Sequence, residues 1–397
     1  MVRGLFLILF ICFGHFSYGQ YGQEIYEKPA KLLTKFPFKQ LSGGVILVQA
    51  KFNKIEQPLN FILDTGSGAI SLDSATTAEF KIAHVPSGRT INGIAGVRDV
   101  DFAKNNSLTF PGLQIDSLDF YINDYDILSS VYGQKIDGVI GYSFFSRYIV
   151  KINFDSLVIE VYQPGRLKYP VNGFLLHPLF TALPIQPLTI KDSKSVTANF
   201  YFDTGAGLCF LMSKQFEDDS VVLKSGRKPV SIQVQGFGGK KQMLLTIMKE
   251  VKIGPYRFRK VPVNILDDEY NATSYPFIGG LVGSDILRRF NMIVNYPKRE
   301  IHLLPNSHFR DEFDYSYTGM NMFYVDGKIV ADDVIEGSPA YKSGLKQGDV
   351  IIAINTNFSN DIGTYKNLMQ VLGEKITLLV SRNGAPLILT FRVGRIF

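Results

Sequence analysis

Two aspartates in this chain stand in nearly the same surroundings. Asp64 lies in "FILDTGSGAISL" (61–72), and Asp203 lies in "FYFDTGAGLCFLM" (200–212). Each follows an apolar run and is followed by Thr-Gly. At average composition, an Asp-Thr-Gly tripeptide is expected about 0.1 times in a chain of this length, so two copies in matching frames are not an accident of composition. An ionised carboxylate is costly to bury alone. Two carboxylates within about 3 Å cannot both ionise near neutrality. They share a proton, and their titration belongs to the pair. The ionised partner can take a proton from a water, and the protonated partner can polarise a carbonyl. That chemistry needs neither a metal nor a covalent intermediate, provided the chain brings the two acids face to face.

A duplicated fold would do this, by placing equivalent residues across a pseudo-twofold axis. Asp203 follows Asp64 by 139 residues, and the repeat extends well beyond the motif. "GVIGYSFFSRYIVKINFDSLVIEVY" and "GLVGSDILRRFNMIVNYPKREIHLL" align without a gap, Gly141 on Gly283, Asn153 on Asn295 and Ile159 on Ile301. Upstream of each motif, two strands are joined by a polar turn. Downstream, alternating apolar and polar residues with Pro-Gly and Gly-Pro turns predict further strands. One short helix is expected in each copy, after Gly141 and after Gly283. Each copy also carries a glycine-bearing hairpin, "TINGIAGVRDV" with Gly93 and Gly96, and "SIQVQGFGGKKQM" with Gly236, Gly238 and Gly239. One of the two is expected to act as a lid. The loops of the motifs need Gly66 and Gly205 for tight turns. Thr65 and Thr204 can bond across the axis and fix the two loops.

With "DTGSG" and "DTGAG", and with Val139-Ile140-Gly141 and Leu281-Val282-Gly283 after them, the chain resembles the aspartic peptidases over roughly residues 40–310. The short lobes without disulfides are more similar to retropepsin-type units fused in tandem than to the larger pepsins. The resemblance implies a catalytic dyad of Asp64 and Asp203, supported by Thr65, Gly66, Ser67, Thr204 and Gly205. It implies a flap at Gly93 and Gly96, a polypeptide substrate and no cofactor. Two departures stand out. Ser67 is matched by Ala206, so hydroxyl support of the two carboxylates is expected to be unequal. The Gly93 segment also lacks the tyrosine of a pepsin-type flap.

From about Thr318 the composition changes. "GKIVADDVIEGSPAYKSGLKQGDVIIAIN", a helical stretch "TYKNLMQVLG" and two strands resemble a PDZ domain of the kind attached to bacterial proteases. Gly319, Met320, Asn321 and Met322 match its carboxylate-binding loop in position. The resemblance implies capture of a protein C-terminus or an extended peptide, added to the sheet edge. Met320, Met322 and Leu368 would line an apolar pocket or fill the domain core.

The chain has 397 residues, 46% hydrophobic and 20% charged, with a formal net charge of +6 in no basic block. That reads as mild solubility charge and gives little support for nucleic-acid binding. Arg3, the apolar stretch from Leu5 to Phe13 and Ser17-Tyr18-Gly19 have the anatomy of an export signal. The stretch is short of the about 20 residues of a spanning helix, so cleavage is favoured over an uncleaved anchor. The mature chain then keeps one cysteine, Cys209, in an apolar run. Five histidines show no metal spacing.

The expected organisation is a signal peptide at 1–19, an N-terminal lobe at 20–168, a C-terminal lobe at 169–310 and a PDZ domain at 311–397. Residues 20–40 are read as either a pro-segment or the first strand. The expected fold is mainly β, with two pseudo-twofold-related, barrel-like lobes and a small α+β PDZ domain. The expected function is an exported aspartic endopeptidase, with the oligomeric state left open and a monomer plausible. The competing reading is a non-catalytic peptide-binding protein in which the PDZ domain supplies the function.

Overall fold

Strands with apolar residues on both faces belong inside a sheet, and the motif strands are of this kind. Phe61, Ile62 and Leu63 are all buried, as are Phe200 and Phe202. The computed structural model describes residues 27–396 apart from 94–95, 237–238, 271–272 and 274. The expected signal segment at 1–19 lies outside the described residues.

Each lobe is built on an eight-stranded sheet, and the two sheets have the same strand order. In the first, Leu59–Leu63 runs antiparallel to Ile46–Phe52 and parallel to Gly138–Ile140. Ile70–Asp73 then pairs with the other side of Gly138–Ile140. In the second, Ser195–Phe202 lies parallel to Gly280–Val282, which pairs with Phe210–Ser213. Each Asp-Thr-Gly turn therefore leaves one central strand and re-enters the sheet two places away.

A third, six-stranded sheet belongs to both lobes. Ile149–Asn153 pairs antiparallel with Phe290–Asn295, with Ile149 opposite Asn295 and Ile152 opposite Met292. These are the aligned strands after the two repeat glycines, so the duplication closes on itself. Leu32–Pro37 adds to one edge of this sheet beside Val158–Tyr162, which makes the described part of the early segment a first strand. Phe174–Leu176 adds to the other edge beside Glu300–Pro305.

One apolar cluster runs through both lobes, from Phe36 to Phe313. In the absence of tryptophan it is built largely on phenylalanine. Phe52, Phe120, Phe144, Phe145, Phe210 and Phe290 are almost completely enclosed, each contributing about 1.5–3 kcal/mol of transfer free energy.

The expectation of one helix per lobe is corrected. The first lobe carries Ser74–Glu79, Asp126–Tyr132 and Tyr142–Phe145, and the second carries Lys214–Ser220 and Ser284–Leu287. The missed helices Ser74–Glu79 and Lys214–Ser220 start from caps at the ends of buried strands. Asp73 accepts from the Thr76 N–H at 2.9 Å, and Ser213 accepts from the Phe216 N–H at 3.1 Å. Helices this short show no readable periodicity.

The C-terminal domain is a five-stranded sheet from Met320–Val325 to Ala385–Arg392, with helices Pro339–Lys342 and Ile362–Leu368 over its own core. It is docked on both lobes. Helix Asp126–Tyr132 packs against Met320–Val325 and Ile362–Leu368. The second-lobe hairpin, Val230–Gly236 with Gly239–Ile253, is tied to it by side chains.

Candidate active site

The two motif turns meet at the interface of the lobes and hold each other. The Thr65 N–H donates to Thr204 Oγ1 at 3.0 Å, and the Thr204 N–H donates to Thr65 Oγ1 at 3.1 Å. Each hydroxyl then donates to a carbonyl of the opposite motif strand, Thr65 to Phe202 at 2.7 Å and Thr204 to Leu63 at 2.9 Å. Both threonines are buried, so these four bonds face little competition from water. Neither loop can take this shape without the other.

The carboxyl groups are placed just as reciprocally. A Cβ on Gly66 would lie 2.3 Å from Asp203 Cγ, and one on Gly205 would lie 2.4 Å from Asp64 Cγ. Each glycine is thus needed because the opposite acid lies against its backbone. Asp64 and Asp203 are hydrogen-bonded to each other. Gly66 N–H donates to Asp64 Oδ1 at 2.6 Å, and Gly205 N–H donates to Asp203 Oδ1 at 2.8 Å.

The expected Ser67 asymmetry has a different origin. Ser67 Oγ donates to the Ala69 carbonyl at 3.2 Å, away from the acids, because the turn points its side chain along the chain. The difference lies in the backbone. Ala206 N–H gives Asp203 Oδ1 a second bond at 2.9 Å, whereas Ser67 N–H goes to the Asp64 carbonyl at 3.4 Å. Burial, then the facing Asp203 charge, hold Asp64 well above the usual carboxylate range. Burial also raises Asp203, but the bond from Asp64 and the two N–H groups oppose it. Both acids are thus raised by burial, as a pair sharing one proton would be.

A cavity of about 950 Å³ opens over the pair. Thr90, Ile91 and Gly93 of the first-lobe hairpin line one side, and Ile232, Gln233 and Val234 of the second-lobe hairpin line another. Gly93 and Gly96 face each other at the tip of the first hairpin. Both hairpins therefore overhang the cleft, where the sequence singled out the first. The second is held by the C-terminal domain. Asn321 Nδ2 donates to the Gln233 carbonyl at 2.8 Å, Tyr317 Oη donates to that of Ser231 at 3.4 Å, and Lys240 pairs with Asp332.

The structure also brings residues 319–322 into this cavity. Met320 and Met322 belong to the domain core and also border the cavity. Leu368 packs against that core.

The two lobes and the appended domain match known families. The aspartyl protease family model matches residues 48–144 and again 187–286, and a PDZ domain model matches residues 330–382. The two lobes belong to the aspartyl protease family. No curated protein matches the chain.

Several residues of this aspartyl protease cleft carry no motif. Tyr296 Oη donates to the Thr65 carbonyl at 3.3 Å, and Ser284 Oγ lies 3.0 Å from the carbonyls of Gly44 and Thr204. Tyr125 borders the cavity with its hydroxyl 2.6 Å from Ser71 Oγ, and burial pushes its pKa up to about 12. Tyr125 lies between Asp124 and Asp126 and Tyr296 between Asn295 and Pro297, so no sequence pattern marks either. Among the described residues, the cluster that could hold a metal is Asp73, Asp124 and Asp126. Asp73 already accepts from the N–H groups of Tyr125 and Thr76, so its oxygens serve the fold. Cys209 is buried with its thiol 2.9 Å from Asp285 Oδ2, and burial raises its pKa well above the ordinary value, as befits an inert thiol.

Proposed function

We propose that the protein is an exported aspartic endopeptidase that hydrolyses peptide bonds with a water activated between Asp64 and Asp203. The observation that carries this reading is the reciprocal cradle, in which each lobe supplies the glycine and threonine that seat the other lobe's acid. A peptide-binding scaffold has no use for two half-buried acids sharing one proton.

Asp203, ionised and held by two backbone N–H groups, is the base. It takes a proton from the water, whose oxygen adds to the carbonyl carbon. Asp64, carrying the shared proton, donates to the carbonyl oxygen as charge develops there. Collapse of the tetrahedral species breaks the C–N bond, and the proton passes to the leaving amine. Export rests on the sequence of the first residues alone.

The test is digestion of casein by the wild type and by Asp64→Asn and Asp203→Asn. Both variants should lose peptide hydrolysis by at least about 10³-fold while keeping the wild-type circular dichroism. A peptide carrying a hydroxyl-bearing tetrahedral centre should bind far more tightly than the matching substrate. Retained hydrolysis in either variant removes the dyad from the mechanism.

A further inference from the structure

A PDZ groove lies between an edge strand and a helix, with its carboxylate loop at one end. Here the strand is Met320–Val325 and the helix is Ile362–Leu368; of the expected loop 319–322, Gly319 precedes the strand and the other three residues begin it. Gly319 has a φ of +71°, and a Cβ there would meet Ser338 Cβ at 2.1 Å, so the loop keeps a shape that only glycine allows. The far end of the groove is closed. Helix Asp126–Tyr132 of the first lobe packs on both walls, and a Cβ on Gly133 would lie 2.7 Å from Ile362 Cγ2. A bound peptide therefore cannot run out along the strand.

The loop end is open, and it opens into the cleft. Asp64, Asp203, Gly319, Met322, Lys366 and Met369 all border one cavity of about 950 Å³. Lys366 is the unusual member. Its Nζ donates to the Val131 carbonyl at 2.7 Å, which uses one of three ammonium donors. No carboxylate is paired with it among the described residues, and burial lowers its pKa to about 8, so it is mainly charged at neutral pH. A half-buried cation with spare donors, beside a carboxylate-binding loop, suits an incoming anion.

We propose that the two sites form one channel, in which Lys366 and loop 319–322 hold the free α-carboxylate of a polypeptide while the dyad cuts a bond a set number of residues upstream. The substrate class is then chains with a free carboxyl terminus, and the product is a short C-terminal fragment. The inference rests on the hydrolytic reading above and adds the anchor. The bond broken and the fate of its protons are those already described.

The test uses a random-sequence peptide pool of about ten residues, fluorescein-labelled at the N-terminus, made as the free acid and as the carboxamide. The full chain should cleave the free acid at least about tenfold faster, about 1.4 kcal/mol. Adding residues at the carboxyl end should move the cut by the same number. Lys366→Met should bring the acid-to-amide ratio close to one while still cutting the amide pool, and Lys366→Arg, with an unchanged melting temperature, should keep most of the ratio. Fluorescence anisotropy with Asp64→Asn should show the acid pool binding about tenfold more tightly than the amide. Equal cleavage of both pools, with cuts set by local sequence, overturns the anchor and leaves the endopeptidase reading in place. Acid-selective binding with no cleavage by the wild type supports the anchor and overturns the hydrolytic reading.

Discussion

At the residue scale, the dyad is defined by backbone more than by side chains. Asp203 receives an N–H from Ala206, whereas the equivalent Ser67 N–H turns to the Asp64 carbonyl. The sequence marks both acids and places Ser67 against Ala206, but an amide direction is set by turn geometry and leaves no trace in residue type. The consequence for pH follows from sign. The folded state raises Asp64 well above its ordinary value, so the native state binds that proton more tightly than the unfolded chain does. The resulting stabilisation is complete below about pH 4 and is lost as pH rises through the folded-state value. Asp64→Asn removes this dependence. Its melting temperature should therefore gain on the wild type as pH rises from about 4 towards 7, measured by scanning calorimetry. Because activity needs one proton on the pair, kcat/KM should fall on the alkaline side through the same raised value. Gly66→Ala is the steric counterpart. Its methyl would meet the Asp203 carboxyl at 2.3 Å, and hydrolysis of casein should be lost even where the variant folds.

At the element scale, the paired turns and the two hairpins do different work. The crossed threonine bonds join elements 139 residues apart. Thr204→Val strands the Leu63 carbonyl and the Thr65 N–H, at about 1–3 kcal/mol each, whereas Thr204→Ser keeps both bonds. Urea unfolding should show the valine variant substantially destabilised and the serine variant within about 1 kcal/mol of wild type. The second-lobe hairpin is held to the PDZ domain by Asn321 and Lys240, with Lys240 Nζ also 5.2 Å from the Phe323 ring centre. Releasing about 1–2 kcal/mol of such contacts raises local opening by about 5–30-fold. Hydrogen exchange over residues 230–236 should therefore quicken by that factor in an Asn321→Ala, Lys240→Ala double variant, while residues 85–93 stay unchanged. The strands and hairpins were legible from alternation and from turn residues. The capped helices after Asp73 and Ser213 were not, because each is too short for its period to be seen.

At the scale of the whole molecule, the division into lobes seen along the chain is not a division of the core. One cluster of buried residues passes through both lobes, and the PDZ domain has its own. Scanning calorimetry should show the lobes melting as a single cooperative unit, with any separate transition belonging to the PDZ domain. The repeat made the architecture readable, since two equal frames imply a twofold arrangement. The docking of the PDZ domain was not readable, because it depends on contacts such as Lys366 with Val131 and Asn321 with Gln233, between residues far apart in sequence with no pattern linking them.

The six-stranded sheet sets how such a cleft can move. Its backbone ladder crosses the seam between Ile149–Asn153 and Phe290–Asn295, and Tyr296, just beyond that ladder, is bonded to the Thr65 loop. Spreading the lobes would tear main-chain bonds along the seam and drag the dyad apart with them. The base is therefore stiff, and the distance between the acids is insulated from whatever the substrate does above them. On the proposed reading, admission of a chain falls to the hairpins; the second is fastened to the PDZ domain by Asn321 and Lys240, which leaves the first-lobe hairpin at Gly93 and Gly96 as the proposed moving edge.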